Sequence, residues 1–262
     1  MRSFNLPMSA GMKKYSPLVR ELVMRDLKLK YRRSLLGYLW SLLNPLLTMI
    51  VMTLVFSYMF RFDIPNYPLY LICGQTLFAF FNESTNRAMN SILENGMLIK
   101  KVYIPKYIFP AAKVASSFVT MSFSLAAILV VMLFTGARLY WSALLFWAPL
   151  LFLFLFSCGV GMALSALAVQ FRDILHLYGV LTMLWMYLTP IFYPISQVPE
   201  AVASLIRLNP MYHYIDLFRS LVLYGQVPGW GAWGAAALSA LSAFALGAWM
   251  FRKMQHRFIF YV

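Results

Sequence analysis

The chain has 262 residues, of which 62% are hydrophobic and only 11% charged, whereas a soluble domain carries roughly 25% charged residues. A water-soluble fold of this size could not hide so much apolar side chain, so lipid must cover the rest and the expected class is an all-α integral membrane protein. The net charge of +14 would suit nucleic-acid binding, but the Lys and Arg residues gather on one side of successive apolar runs, as membrane topology requires, and that excludes nucleic acid.

Residues 1–34 are polar and basic, with no short apolar core or small-residue cleavage site, so a signal peptide is not expected. Within them Ser16-Pro17 reads as the N-cap and first position of a helix over about 16–33. Val19, Leu22, Val23 and Leu27 fall on one face of that helix and Arg20, Lys28 and Arg32 on another. A basic amphipathic helix ahead of a span is expected in the cytoplasmic interface, with its cations on anionic headgroups.

Residues 35–251 read as a six-span domain. The first run, 35–60, is uncharged and long enough for a hydrocarbon core of about 30 Å. Pro45 inside it frees the carbonyl of Ser41. The second span begins at Leu69 and runs on through the polar stretch Asn82 to Arg87, where Glu83 and Arg87 at i,i+4 are placed to neutralise one another. Residues 95–110 read NGMLIKKVYIPKYIFP, a short helix bearing Lys100 and Lys101 and too apolar for a solvated loop, so it looks built to meet a partner. The third span covers 107–134, the fourth 141–170 and the fifth 175–193, where Pro190 frees the carbonyl of Met186.

Between 195 and 226 two short helices are expected, one from Pro199 to the Asn209-Pro210 break and one from Pro210 to about Leu223. Neither can cross the bilayer, and they read as re-entrant segments. The sixth span, 229–251, carries small residues at Gly231, Ala235, Ser239, Ala243 and Gly247, a spacing for close helix packing within the chain or across a dimer. Residues 252–262 form a tail. Eighteen Lys and Arg fall in the N-terminal segment, between spans two and three, between spans four and five, and after span six, against Arg61, Arg138, Arg207 and Arg219 on the other side, so both ends are expected in the cytoplasm.

Catalytic and metal motifs are absent from the sequence: no GxxxxGK[ST], no GxSxG, no HExxH, and the histidines His176, His213 and His256 lack ligand spacing. Catalytic residues, metal ligands and resident cofactors are therefore not expected. Cys73 and Cys158 read as small packing residues. A membrane-embedded glycosyl- or acyltransferase would have to rely on Asp173 or His213, and a secondary transporter would want midplane ionisable residues.

The stretch RDLKLKYRRSLLGYLWSLLNPLL at 25–47 resembles the entry to the first span of type-2 ABC exporter permeases for O-antigen, capsule and teichoic acid. KKVYIPKYIFP at 100–110, FRDI at 171–174, TPIFYP at 189–194 and LNPMYHYIDLFR at 208–219 follow in that family's order. The resemblance implies the transmembrane subunit of an exporter for a polyprenyl-linked polysaccharide in the bacterial inner membrane. It implies a homodimer with two copies of a separate ATPase that carries ATP and Mg. A drug or lipid permease of the same type is the alternative.

The resemblance also assigns roles. Met97, Ile99, Lys100, Lys101 and Tyr103 would face the ATPase on a coupling helix. Arg25, Lys28, Arg32 and Arg33 would belong to the interface helix. Tyr38, Trp40, Tyr187, Phe192 and Tyr193 would give a channel its aromatic lining, and the two short outer helices would cap its exit.

Overall fold

The computed structural model describes residues 8–32, 36–60, 64–102 and 104–258, and among these the regular structure is helical, with no strand. The α-helices in chain order are α1 (Met8–Tyr31), α2 (Trp40–Phe60), α3 (Tyr67–Glu94), α4 (Gly96–Lys101) and α5 (Ile108–Thr135). Then come α6 (Trp147–Gln170), α7 (Ile174–Leu188), α8 (Glu200–Arg207), α9 (Pro210–Val222) and α10 (Trp230–Met254).

Among the described residues four segments are long and apolar enough to cross a membrane, those built on α2, α5, α6 and α10. The longest helices, α3 and α5, have 28 residues each, or about 42 Å at ~1.5 Å per residue. α3 misses the apolar criterion because its second half is the polar run ending at Glu94, and α7 has only 15 residues.

Local chemistry sets several helix ends. Asn66 adopts a left-handed φ of 53°, and its side chain accepts from the Leu69 amide ahead of α3, the N-cap role suited to asparagine. Asn209 caps α9 through the Met211 amide at 3.0 Å, with Pro210 following at the first turn. Gly136 closes α5 at φ 64°, a conformation that only glycine takes without cost.

Two boundaries differ from the sequence reading. α1 starts at Met8 and carries Pro17 inside it, because Ala10, Met12, Lys13 and Lys14 are good helix formers and extend the helix upstream. The fifth span's helix ends at Leu188, not Tyr193. Thr189, before Pro190, is forced to extended backbone (ψ 130°), and the Met186 carbonyl accepts from the Thr189 amide. Pro190 therefore stops the helix and leaves no orphan carbonyl at Met186. By contrast Pro45 lies inside α2 as expected, and α8 and α9 start and stop where the prolines place them.

α3 and α6 form the centre, with α5 against α3 and α10 against α6. The contact between α6 and α10 is backbone-close. A Cβ at Gly247 would lie 1.9 Å from the Gly159 carbonyl oxygen, and one at Gly159 2.3 Å from that of Ala243. The small-residue stripe of the last span is thus used within the chain at its second half, whereas Gly231 has open space around it. Cys73 and Cys158 are buried free thiols.

A second apolar cluster joins Leu22 of α1 to Ile108, Phe109, Val169, Phe251 and Phe258, with Leu18, Val19 and Val23 packed on it. The apolar face of α1 therefore lies on protein. Burying Leu22 contributes about 1.5–3 kcal/mol where the alternative is water. Lys106 completes this corner, donating from Nζ to the Gln255 carbonyl at 2.7 Å and lying 5.5 Å from the Phe258 ring centre. Burial pushes its ammonium below the usual lysine range.

Candidate transport and coupling sites

α3 and α4 meet at Asn95, which ends the first helix and starts the second. Its Nδ2 donates to the Ser91 carbonyl at 2.8 Å, and its Oδ1 accepts from Arg25 Nη2 of α1 at 3.4 Å. One buried side chain therefore fixes the elbow and ties it to α1. Beyond it, Met97 is 81% exposed, and Lys100, Lys101 and Val102 are exposed too. Leu98 and Ile99 instead turn partly inward onto the second apolar cluster. α4 thus presents Met97 and its two lysines outward, Ile99 is shared between surface and bundle, and Tyr103 lies outside the described residues.

Next to the elbow sits a network of charges. Asp26 of α1 is only 5% exposed and meets Arg87 of α3 at 3.2 Å, Lys113 of α5 at 3.2 Å and Arg25 at 3.5 Å. Lys113 also reaches Glu94 at 2.9 Å, and Arg87 reaches Glu83 at 3.4 Å. Glu83 in turn pairs with Lys30 at 2.7 Å. The Glu83–Arg87 pair expected from i,i+4 spacing forms, but as one link in a chain that fastens α1 to α3 and α5. Breaking a buried pair leaves an uncompensated charge at a cost of about 3–5 kcal/mol, so α1 is held in one position. Arg25 belongs to this network, Lys28 of α1 and Arg32 just past its end are exposed, and Arg33 lies outside the described residues.

At the opposite end of α3 a second buried charge organises the bundle. Arg219 of α9 is 4% exposed. Its Nε and Nη2 donate to the Tyr70 carbonyl at 3.0 and 2.9 Å, Nη1 to Pro190 at 2.7 Å and Nη2 also to Ile191 at 3.0 Å. The guanidinium lies 3.4 Å over the Tyr70 ring. Carbonyl dipoles and a π face replace hydration, which the planar fork of arginine fits and lysine does not. Gly74 leaves the room: a Cβ there would lie 2.5 Å from Arg219 Nη2. Asn209 ties the same region together, accepting from Trp185 Nε1 at 2.7 Å and donating to Thr189 Oγ1 at 2.9 Å. The sequence reading counted Arg219 only as an outer charge.

The five aromatic residues proposed for a channel do not form one cluster within the chain, although Tyr187 and Tyr193 are joined. Tyr38 and Trp40 are exposed at the start of α2, and Tyr187 is exposed on α7. Phe192 is buried, its ring stacked 5.3 Å from Phe56. Tyr193 donates from its hydroxyl to the Tyr187 carbonyl at 2.8 Å. Trp40 alone of the five borders a cleft of about 430 Å³ between α2, α3 and α5, lined by polar and apolar side chains together. Asp173 begins α7 and His213 lies on α9, on different elements.

The sequence matches the model of the ABC-2 type transporter family over residues 17–223. It is 32% identical over 216 residues to the O-antigen export system permease protein RfbA of Myxococcus xanthus, covering 82% of this chain and 83% of that one. It is 31% identical to the RfbA of Klebsiella pneumoniae over 78% of this chain and 79% of the other. With the polysialic acid transport protein KpsM of Escherichia coli the identity is 23%, over 80% and 82% of the two chains. Span-length apolar helices and a family match over most of the sequence agree: this chain belongs to the ABC-2 type transporter family.

Proposed function

We propose that the chain is the transmembrane subunit of an ABC exporter that moves a polyprenyl-linked polysaccharide, of O-antigen or capsule type, across the bacterial cytoplasmic membrane. The similarity to O-antigen export permeases along four-fifths of both chains carries this reading, and similarity to the polysialic acid transport protein of E. coli and to a capsule polysaccharide export protein of Neisseria meningitidis supports the cargo class. The chain is a transport subunit, and ATP hydrolysis with its Mg belongs to a separate ATPase, two copies serving a homodimer.

In this reading α2, α3, α5, α6, α7 and α10 are the six spans with both ends inside. α1 is the interface helix, α4 the coupling helix, and α8 and α9 the re-entrant pair at the outer end. The exposed apolar faces of α2 (Leu47, Val51, Leu54) and α7 (Val180, Leu181, Leu184) meet lipid and the second protomer. Tyr38, Trp40 and Tyr187 stand on these same exposed segments, facing the glycan path.

The mechanism follows from the connections of α4. ATP-driven closure of the ATPases displaces α4 through Met97, Lys100 and Lys101. Asn95 passes that displacement to α3 directly and to α1 through Arg25, and Asp26 carries it on to α5. The three helices then shift as one body, opening the path between protomers. Photo-cross-linking from Met97 in native membranes tests the docking: capture of a chain with a phosphate-loop motif is expected, and its absence in exporting cells counts against α4 as the coupling helix.

A further inference from the structure

The cleft between α2, α3 and α5 is lined by a polar stripe from each helix. α2 contributes Ser41, Asn44 and Thr48, spaced i, i+3, i+7. α3 contributes Gln75 and Thr76, with Glu83 two turns on and the small Ala79 between them, and α5 contributes Ser117, Thr120 and Ser124 at i, i+3, i+7. Each stripe lies on one face of its helix, and the three faces converge. Polar side chains in membrane-spanning helices are costly against lipid and are kept where they meet protein, water or cargo.

Several of these groups are satisfied locally, Thr48 on the Asn44 carbonyl at 2.9 Å and Thr120 on the Ser116 carbonyl at 3.2 Å. Two are not. Gln75 Oε1 and Thr76 Oγ1 are buried without a hydrogen-bond partner, Thr76 being 3% exposed. Leaving such atoms unpaired is costly, and a buried acceptor beside a cavity points to a donor that arrives from outside. One end of the cleft is closed by the Lys30–Glu83 pair, and Trp40 supplies a broad aromatic face, 47% exposed. A volume of about 430 Å³ lies within the ~300–1,000 Å³ typical of ligand pockets.

We propose that this cleft is a saccharide-binding site within each protomer, taking hydroxyl-rich rings of the exported glycan between Trp40 and the Gln75–Thr76 wall. The inference rests on the polysaccharide-export reading and places a holding site inside one protomer, with Trp40 at the border between this cleft and the path between two. Sugar hydroxyls donate to Gln75 Oε1 and exchange hydrogen bonds with Thr76 and Asn44, while the indole covers the apolar face of a ring.

The test places p-benzoylphenylalanine at Asn44, on the open wall of the cleft, in cells that do and do not make the glycan, with the same group at Leu184 on α7 as a control. A periodate-staining adduct is expected at Asn44, only in glycan-producing cells, and not at Leu184. In parallel Gln75→Leu and Thr76→Val, at unchanged membrane levels, should each slow export by about three- to tenfold, the worth of one hydrogen bond. An adduct at Asn44 carrying phospholipid alone, or no adduct, overturns the site even where export itself is normal. The export reading fails separately, if surface glycan persists without the gene.

Discussion

The hydroxyl of Ser124 on α5 donates to the carbonyl of Ser41 on α2 at 2.9 Å, and that carbonyl is the one Pro45 deprives of its helical partner. The carbonyl freed in one helix is thus satisfied by its neighbour, and α2 is held to α5 one turn before Pro45. Ser124→Ala should lower stability by about 0.5–1.5 kcal/mol, measured as thermal unfolding of the purified protein in detergent. In a Pro45→Ala background, where the helix can recover its own bond, the same change should cost much less. Equal cost in both backgrounds would refute the link.

The glycine contact between α6 and α10 gives a sharper stability test. Gly247→Ala drives a methyl group into the Gly159 carbonyl, and overpacking of this kind costs about 1–3 kcal/mol. Gly231→Ala, with nothing within 4 Å, should be neutral or slightly stabilising through helix propensity. Thermal melting of the two variants side by side decides the point.

Arg219 should tolerate no replacement. Hydrogen bonds to charged groups are worth about 1.5–3 kcal/mol each, and Arg219→Lys loses the fork that reaches Tyr70, Pro190 and Ile191 together. Membrane levels of Arg219→Lys and Arg219→Met, read by immunoblot, should both fall severalfold. A normal level for the lysine variant would show that charge alone suffices.

Asp26→Asn removes the one carboxylate shared by Arg25, Arg87 and Lys113. Weaker fixation of α1 should reduce glycan export more than ATP hydrolysis, so the quantity to measure is glycan exported per ATP consumed. A parallel fall in both would make the network merely structural.

Much of this was legible in the sequence where the cause is local. Pro199 and the Asn209-Pro210 pair mark α8 and α9 because proline has a fixed φ and no amide proton, and the Ser41 carbonyl freed by Pro45 follows from i−4 geometry. The rest depends on partners far along the chain. Asp26 sits in a basic helix and gives no signal of its own, since Arg87 and Lys113 stand 61 and 87 residues away. Arg219 reads as an outer-side charge on a short helix until the fold brings Tyr70 and Pro190 to it. The cleft too was hidden, because its three polar stripes are modest on each helix and become a site only where the helices converge.

Lys100 and Lys101 lie exposed at the end of α4, so reversing their charge leaves the bundle's packing intact and acts on the partner surface. Lys100→Glu with Lys101→Glu should give normal chain levels and uncouple ATP hydrolysis from export; unimpaired export would remove α4 from the coupling path.

The central claim is tested most directly by deleting the gene and measuring polyprenyl-linked glycan in the cytoplasmic leaflet against glycan at the cell surface. The account predicts accumulation inside with loss outside, restored by the wild-type chain. Unchanged surface glycan would contradict it and redirect the cargo to a small molecule or a lipid.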